Sequence, residues 1–170
     1  IDNEDFDLLK IISEAVKKMS EGELLQIQKS RNLNITEEEY FEITTKKTAS
    51  LFSACCQLGA ASSGLKDLNS VKEFGLNLGL IFQIKDDLFD FSSRRMGKPT
   101  AIDIKNQKIT LPLIYTLNNI SISDKKFIIN SYRNKNILKR NKNKIYEIIE
   151  RSGGYSYTHE KMLYLKEKSL

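Results

Sequence analysis

The chain has 170 residues, 40% of them hydrophobic and 29% charged, with 8 Gly and only 2 Pro. That length suits one packed domain and is short for two, and so few Gly and Pro exclude collagen-like repeats and argue against disorder. Its 27 basic and 22 acidic residues leave a charge of +5, mildly basic and compatible with phosphate-bearing partners without choosing among them.

Helical periodicity dominates the sequence from its start. Between Asp7 and Gln28, apolar residues such as Leu8, Ile11, Ile12, Ala15, Val16, Met19 and Leu25 recur mostly at three- and four-residue steps. Thr36 followed by Glu39 has the spacing of a capping box, and Glu37 to Glu39 complement the positive end of a second helix running toward Gly59. Ala49 to Cys56 within it is rich in small residues, which permits close helix approach. Cys55 and Cys56 are adjacent, so a disulfide between them is disfavoured. They read as small buried helix residues in a reducing compartment, which places the protein in the cytoplasm. No basic-then-apolar leader and no run of about 20 apolar residues is visible, so neither a signal peptide nor a membrane span is expected.

A third helix is predicted to open at Asn69-Ser70 and to reach about Phe91. It carries no charge from Phe74 to Ile84, and its apolar side chains fall all round, which predicts a central, buried helix. A polar loop with Gly97 and Pro99 follows. The next helix starts near Leu111-Pro112, where proline's missing N–H costs nothing. Ser123-Asp124 is the expected cap of a short helix, and Arg133 to Lys144, with six basic and no acidic residues, reads as a solvated helix end or loop. Ser152-Gly153-Gly154 breaks the chain before a last amphipathic helix, on whose surface the lone His159 is expected. No strand-like alternation persists, so the fold class is all-α, in a single unit over 1–170.

The chemistry concentrates where the apolar third helix ends in Asp86, Asp87 and Asp90. At about 100° per residue, Asp86 and Asp90 lie about 40° apart on one face. Carboxylates so placed repel unless a cation sits between them, and hard oxygen donors with room for water and phosphate suit Mg²⁺. An EF-hand is excluded, since its Gly and terminal Glu are missing. The plain alternative is a solvated acidic helix end. Against it stand the greasy helix that carries the cluster and the nearby cations Lys85, Lys98 and Lys108. Carboxylates alone would repel a diphosphate, whereas carboxylates, Mg²⁺ and lysines together make a site for one.

Gly79 to Asp90, followed by Gly97-Lys98-Pro99, Asp103-Ile104 and Lys108 to Pro112, resembles the second aspartate-rich region of trans-isoprenyl diphosphate synthases, the polyprenyl synthetases. Gly22-Glu23-Leu24-Leu25-Gln26, Tyr40 with Lys47-Thr48-Ala49-Ser50-Leu51-Phe52, and Ser152-Gly153-Gly154 match other parts of that family in order, so the resemblance covers essentially the whole chain. The loop wording is most similar to octaprenyl-type, long-chain members. The resemblance implies the C-terminal portion of the isoprenoid-synthase helical bundle, with Mg²⁺ as cofactor. It implies that Asp86 binds the metal directly, with Asp87 and Asp90 binding it or its waters. Lys47 and Lys98 would neutralise the diphosphate of the allylic substrate, with Thr48 adding a hydroxyl. Gln83 and Gln26 would line the cavity near the second substrate, isopentenyl diphosphate, and Lys108 with Asp103 would support the loop.

The sequence also departs from that pattern. Full members carry a first aspartate-rich motif followed by arginines, which this sequence lacks. Ser92-Ser93-Arg94-Arg95 is basic where the family is usually acidic or polar, and Ala101 stands where Gly is common. The reading is therefore of the C-terminal part of a longer prenyltransferase, a homodimer when intact, inactive as this stretch alone and exposing apolar surface unless something covers it. The alternative is a non-catalytic diphosphate-binding or regulatory subunit of a heteromeric synthase. Nucleic acid is not an expected partner, because the basic stretch lacks interleaved aromatics.

Overall fold

The computed structural model describes residues 6–30, 35–92 and 109–169, without the side chains of residues 30 and 90–92. Among them every regular element is helical. In chain order they are α1 (Phe6–Ser30), α2 (Glu37–Thr44), a π-helical segment (Thr45–Ala49), α3 (Ser50–Ser62), α4 (Leu68–Ser92), α5 (Leu111–Asn119), α6 (Ile122–Tyr132), α7 (Lys135–Arg151) and α8 (Gly154–Lys168). The expected all-α class holds, with the second predicted helix divided by the π segment. None of the described helices is long and apolar enough to cross a membrane.

The starts of the helices follow local chemistry. Thr36 and Glu39 form the expected capping box, the Glu39 amide donating to Thr36 Oγ1 at 3.2 Å and the Thr36 amide to Glu39 Oε2 at 3.0 Å. α4 opens one residue earlier than expected, because the Asp67 carboxylate accepts from the amides of Asn69 and Ser70. α6 is capped by Ser121, whose hydroxyl takes the Asp124 amide at 3.2 Å. Ser123, the expected cap, lies inside that helix. Gly153 turns the chain into α8 with φ of 81°.

The chain divides into two compact units. The first contains α1 as far as Gln28, residues 41–83 and the end of α8 from Leu163. Small residues line its interior. A Cβ on Gly79 would stand 2.5 Å from Ala49 Cα, and one on Gly75 would stand 2.6 Å from Ser53 Cα. α4 can therefore lie directly on the π segment and α3, as the small-residue stretch predicted. The adjoining face of α4 is not buried: Phe74, Leu78 and Phe82 are exposed, so the expectation of a helix buried all round fails. Along α1, Phe6, Leu9, Ile12, Val16, Leu24 and Ile27 are exposed as well, as expected of a chain that leaves apolar surface bare. Cys55 is exposed and Cys56 half-buried, both as free thiols. The expectation of two buried cysteines therefore fails, because the residues that α3 turns inward there are the preceding Ser53 and Ala54.

The second unit spans Lys29–Tyr40 and Ile84–Met162. Its core is aliphatic, built from Ile84, Leu111, Leu113, Ile114, Ile128, Leu138, Ile145 and Ile149. On α7 the buried positions Leu138, Ile145 and Ile149 recur at helical spacing. The basic stretch forms the solvated face of that helix, with Lys144 lying 4.5 Å over the Phe127 ring and Lys142 5.8 Å over Tyr146. Around the start of α2, Glu37 accepts from Tyr157 and pairs with Lys161 at 2.9 Å, while Tyr115 stacks on Tyr157 at 4.2 Å. Burial, reinforced by the Glu37 carboxylate, pushes the Tyr157 phenol above its ordinary pKa, and the Glu37 hydrogen bond does the same for the Lys161 ammonium. His159 is exposed, as expected.

Candidate functional site

In the first unit the site is built around the π segment. The Ser50 amide donates to the Thr45 carbonyl, five residues back, which widens one turn and defines the segment. Such wide turns are rare and often occur at functional positions. This one carries Lys46, Lys47 and Thr48. Lys47 Nζ donates to Gln26 Oε1 at 2.6 Å and pairs with Glu23 Oε2 at 2.6 Å. Thr48 Oγ1 donates to Gln83 Oε1 at 3.2 Å. Four residues singled out in the sequence, Gln26, Lys47, Thr48 and Gln83, are thus drawn into direct pairs. Lys46 is committed elsewhere: its ammonium donates to Glu42 at 2.9 Å, and that hydrogen bond raises its pKa.

Gly22 lets α1 approach this segment. A Cβ there would stand 2.6 Å from Lys47 N and 2.9 Å from Lys46 Cβ. Gly22 and Glu23 stand in the sequence as part of a motif, which gives neither the packing role of the glycine nor the pairing of Glu23 with Lys47. One signal was available, because a lone glycine inside a helical pattern costs about 1 kcal/mol relative to alanine and usually has a packing reason.

In the second unit the three aspartates separate. Asp86 is exposed. Asp87 is fully buried, and its Oδ2 accepts from the Tyr40 hydroxyl at 2.7 Å and the Leu111 amide at 3.3 Å. Asp90 belongs to α4, but its side chain lies outside the described residues, as do Lys98, Asp103 and Lys108 entirely. No group of three or more His, Cys, Asp or Glu able to hold a metal occurs among the described residues. The exposed carboxylate at position 86 is nonetheless a hard oxygen donor of the kind Mg²⁺ takes alongside waters and phosphate, and the sequence places another aspartate one helical turn on.

A family model described as polyprenyl synthetase matches residues 2–149. The chain is 32% identical over 160 residues to the geranylgeranyl diphosphate synthase of Saccharolobus solfataricus, covering 91% of this chain and 48% of that protein. With the octaprenyl diphosphate synthase of Escherichia coli it shares 34% identity over 116 residues, covering 66% and 36%. The crystal structure of a decaprenyl diphosphate synthase from Rhodobacter capsulatus aligns with a TM-score of 0.87 at 26% identity, over 99% of this chain and 53% of that one. The chain thus spans about half the length of these relatives, or less. Relatives named for products of different length match at similar identity, so the octaprenyl-type wording of the loop does not single out one class.

Proposed function

The chain belongs to the polyprenyl synthetase family, and from that premise we propose that it is the diphosphate-handling part of a prenyltransferase that extends an allylic diphosphate with isopentenyl diphosphate. The observation that supports this best is the Lys47 ammonium on its π-helical turn, held by Gln26 and Glu23. A cation fixed in this way can receive a diphosphate without first losing much side-chain freedom.

In the proposed reaction the bond between the allylic carbon and oxygen breaks, and its electron pair leaves with diphosphate. The double bond of isopentenyl diphosphate attacks the resulting allylic cation, a carbon–carbon bond forms, and loss of a proton restores neutrality. Lys47 and Lys98 neutralise the charge that develops on the leaving group, and Thr48 offers it a hydroxyl. Fixed charges of this kind are strongest where water is excluded. Gln83 and Gln26 line the neighbourhood of the second substrate and orient the Thr48 hydroxyl and the Lys47 ammonium. Lys108 and Asp103 support the intervening loop. Asp86 and Asp90 would hold a magnesium ion, which when bound supplies positive charge to the diphosphate.

The sequence lacks the family's first aspartate-rich motif, and we infer that this stretch works only within a longer, homodimeric enzyme. Turnover by the purified 170-residue chain with Mg²⁺ would overturn that. The central test is Asp86→Ala in the intact enzyme, followed by incorporation of labelled isopentenyl diphosphate. Turnover should fall about a hundredfold or more, as for other groups that stabilise leaving-group charge. An unchanged rate would refute the assignment and favour the non-catalytic subunit.

A further inference from the structure

Asp86 and Asp87 are neighbours with the same chemistry and opposite environments. Asp87 is 0% exposed, and among the described residues its Oδ2 accepts from the Tyr40 hydroxyl and the Leu111 amide. Tyr40 is itself buried at 6% exposure, and Leu111 opens α5. All three belong to the second unit. A hydrated cation needs open space and free lone pairs on its ligand. The buried Oδ2 of Asp87, taken by a phenol and an amide, offers neither.

We propose that Tyr40 and Asp87 are positioning residues: the Tyr40–Asp87–Leu111 tie sets the rotation of the last turns of α4, and with it the direction in which positions 86 and 90 present carboxylates to a divalent metal and diphosphate. This rests on the metal–diphosphate reading above and replaces the expectation that Asp87 is itself a ligand.

Stability alone gives no reason for an acid at this point. Burying a carboxylate costs several kcal/mol before its hydrogen bonds are counted, and a well-packed apolar side chain does as well or better. Geometry supplies the reason. At about 100° per residue, positions 86 and 90 lie on the same side of the helix, about 100° and 60° from position 87. One fixed point at 87 therefore aims both. The tie is directional, since hydrogen bonds prefer near-linear geometry and weaken steeply when bent. It also joins three elements: α4 through Asp87, α2 through Tyr40, and α5 through an amide at its start that has no partner within its own helix. α2 is in turn held by the Thr36–Glu39 box and by the pairing of Glu37 with Lys161.

The experiment uses the intact synthase carrying this sequence, with Tyr40→Phe, Asp87→Asn, Asp86→Asn and the distant core change Ile128→Val. Mn²⁺ binding in the presence of inorganic diphosphate is followed by electron paramagnetic resonance, alongside Tm and steady-state constants. Tyr40→Phe should weaken Mn²⁺ binding about three- to tenfold, somewhat less than is usual for losing a group that directly orients a ligand. KM for the allylic diphosphate should rise with it, while KM for isopentenyl diphosphate stays. Asp87→Asn keeps an acceptor oxygen and should behave like Tyr40→Phe. Ile128→Val should lower Tm without moving Mn²⁺ affinity. Wild-type Mn²⁺ affinity in Tyr40→Phe overturns the proposal. So does a loss in Asp87→Asn as large as that in Asp86→Asn, which would make Asp87 a ligand. If Asp86→Asn leaves Mn²⁺ binding intact, the metal–diphosphate reading falls and this proposal with it. A normal loss in Asp86→Asn with none in Tyr40→Phe removes this proposal alone.

Discussion

Replacing Gly22 by alanine sets two effects of known sign against each other. In an ordinary helix interior the change stabilises by about 0.5–1 kcal/mol, because glycine gives up more backbone entropy on folding. At Gly22 the new Cβ would stand 2.6 Å from Lys47 N and 2.9 Å from Lys47 Cα, where ordinary contact is 3.4–4 Å. These are backbone atoms of a hydrogen-bonded helical segment and cannot swing aside as the end of a side chain could. Overpacking of this kind costs about 1–3 kcal/mol, so the net effect should be destabilising by up to about 2 kcal/mol. For a protein of this size that corresponds to a fall in Tm of roughly 2–8 °C. Gly59→Ala is the control, since it lies within α3 and a Cβ there meets nothing within 4 Å. It should gain the propensity term and raise Tm by about 2–4 °C. Thermal and urea unfolding followed by far-UV circular dichroism would measure both. A Gly22→Ala protein as stable as the parent, or more so, would refute the close approach of α1 to the π segment. Because the displaced atoms carry Lys47, diphosphate affinity should fall along with stability.

Lys47→Ala and Lys98→Ala should each weaken binding of the allylic diphosphate to the intact enzyme, and calorimetry showing unchanged affinity would count against the assignment. The first should lose about tenfold or more, as expected when a charge-assisted bond to phosphate is removed. The start of α2 should be acid-sensitive. Hydrogen bonds from its own amide and from Thr36 hold Glu38 below the ordinary carboxylate range, and the Lys29 ammonium with the Thr36 amide does the same for Glu39. Groups whose pKa is depressed by folding contribute stability above their unfolded value and lose it as pH falls through the folded one. Unfolding midpoints should therefore drop as pH is lowered below about 4.5, and Thr36→Ala should flatten that drop. An identical pH profile in Thr36→Ala would contradict the capping box.

Features that depend on neighbours in sequence were legible in advance. The Thr36–Glu39 box, the start of α5 at Leu111-Pro112, the break at Gly153 and the small-residue stretch of α3 each rest on chemistry within a few residues. Helix starts were misread where several competent caps stand in a row, as at Asp67 to Ser70 and Ser121 to Asp124. Which one caps depends on where the backbone turns, and each candidate has the side chain for it. The residues around Lys47 were found by motif, yet their partners were not. The pairing of Lys47 with Glu23 and the need for glycine at position 22 arise from α1 lying against residues 46 and 47.

What the chain determines by itself is its helical class and the family it belongs to, because periodicity, caps and motif spacing are local and survive in any arrangement of the helices. Tertiary structure alone decides which chemically equal groups do different work. Asp86 and Asp87 differ by about 100° around one helix, and only the packing of Tyr40 and Leu111 puts one of them in the core and leaves the other to solvent. The same holds for Lys46 and Lys47, adjacent and alike, which the widened turn sends to different partners. A helix fixes the angle between neighbouring side chains, but the surfaces it rests against fix where that angle points.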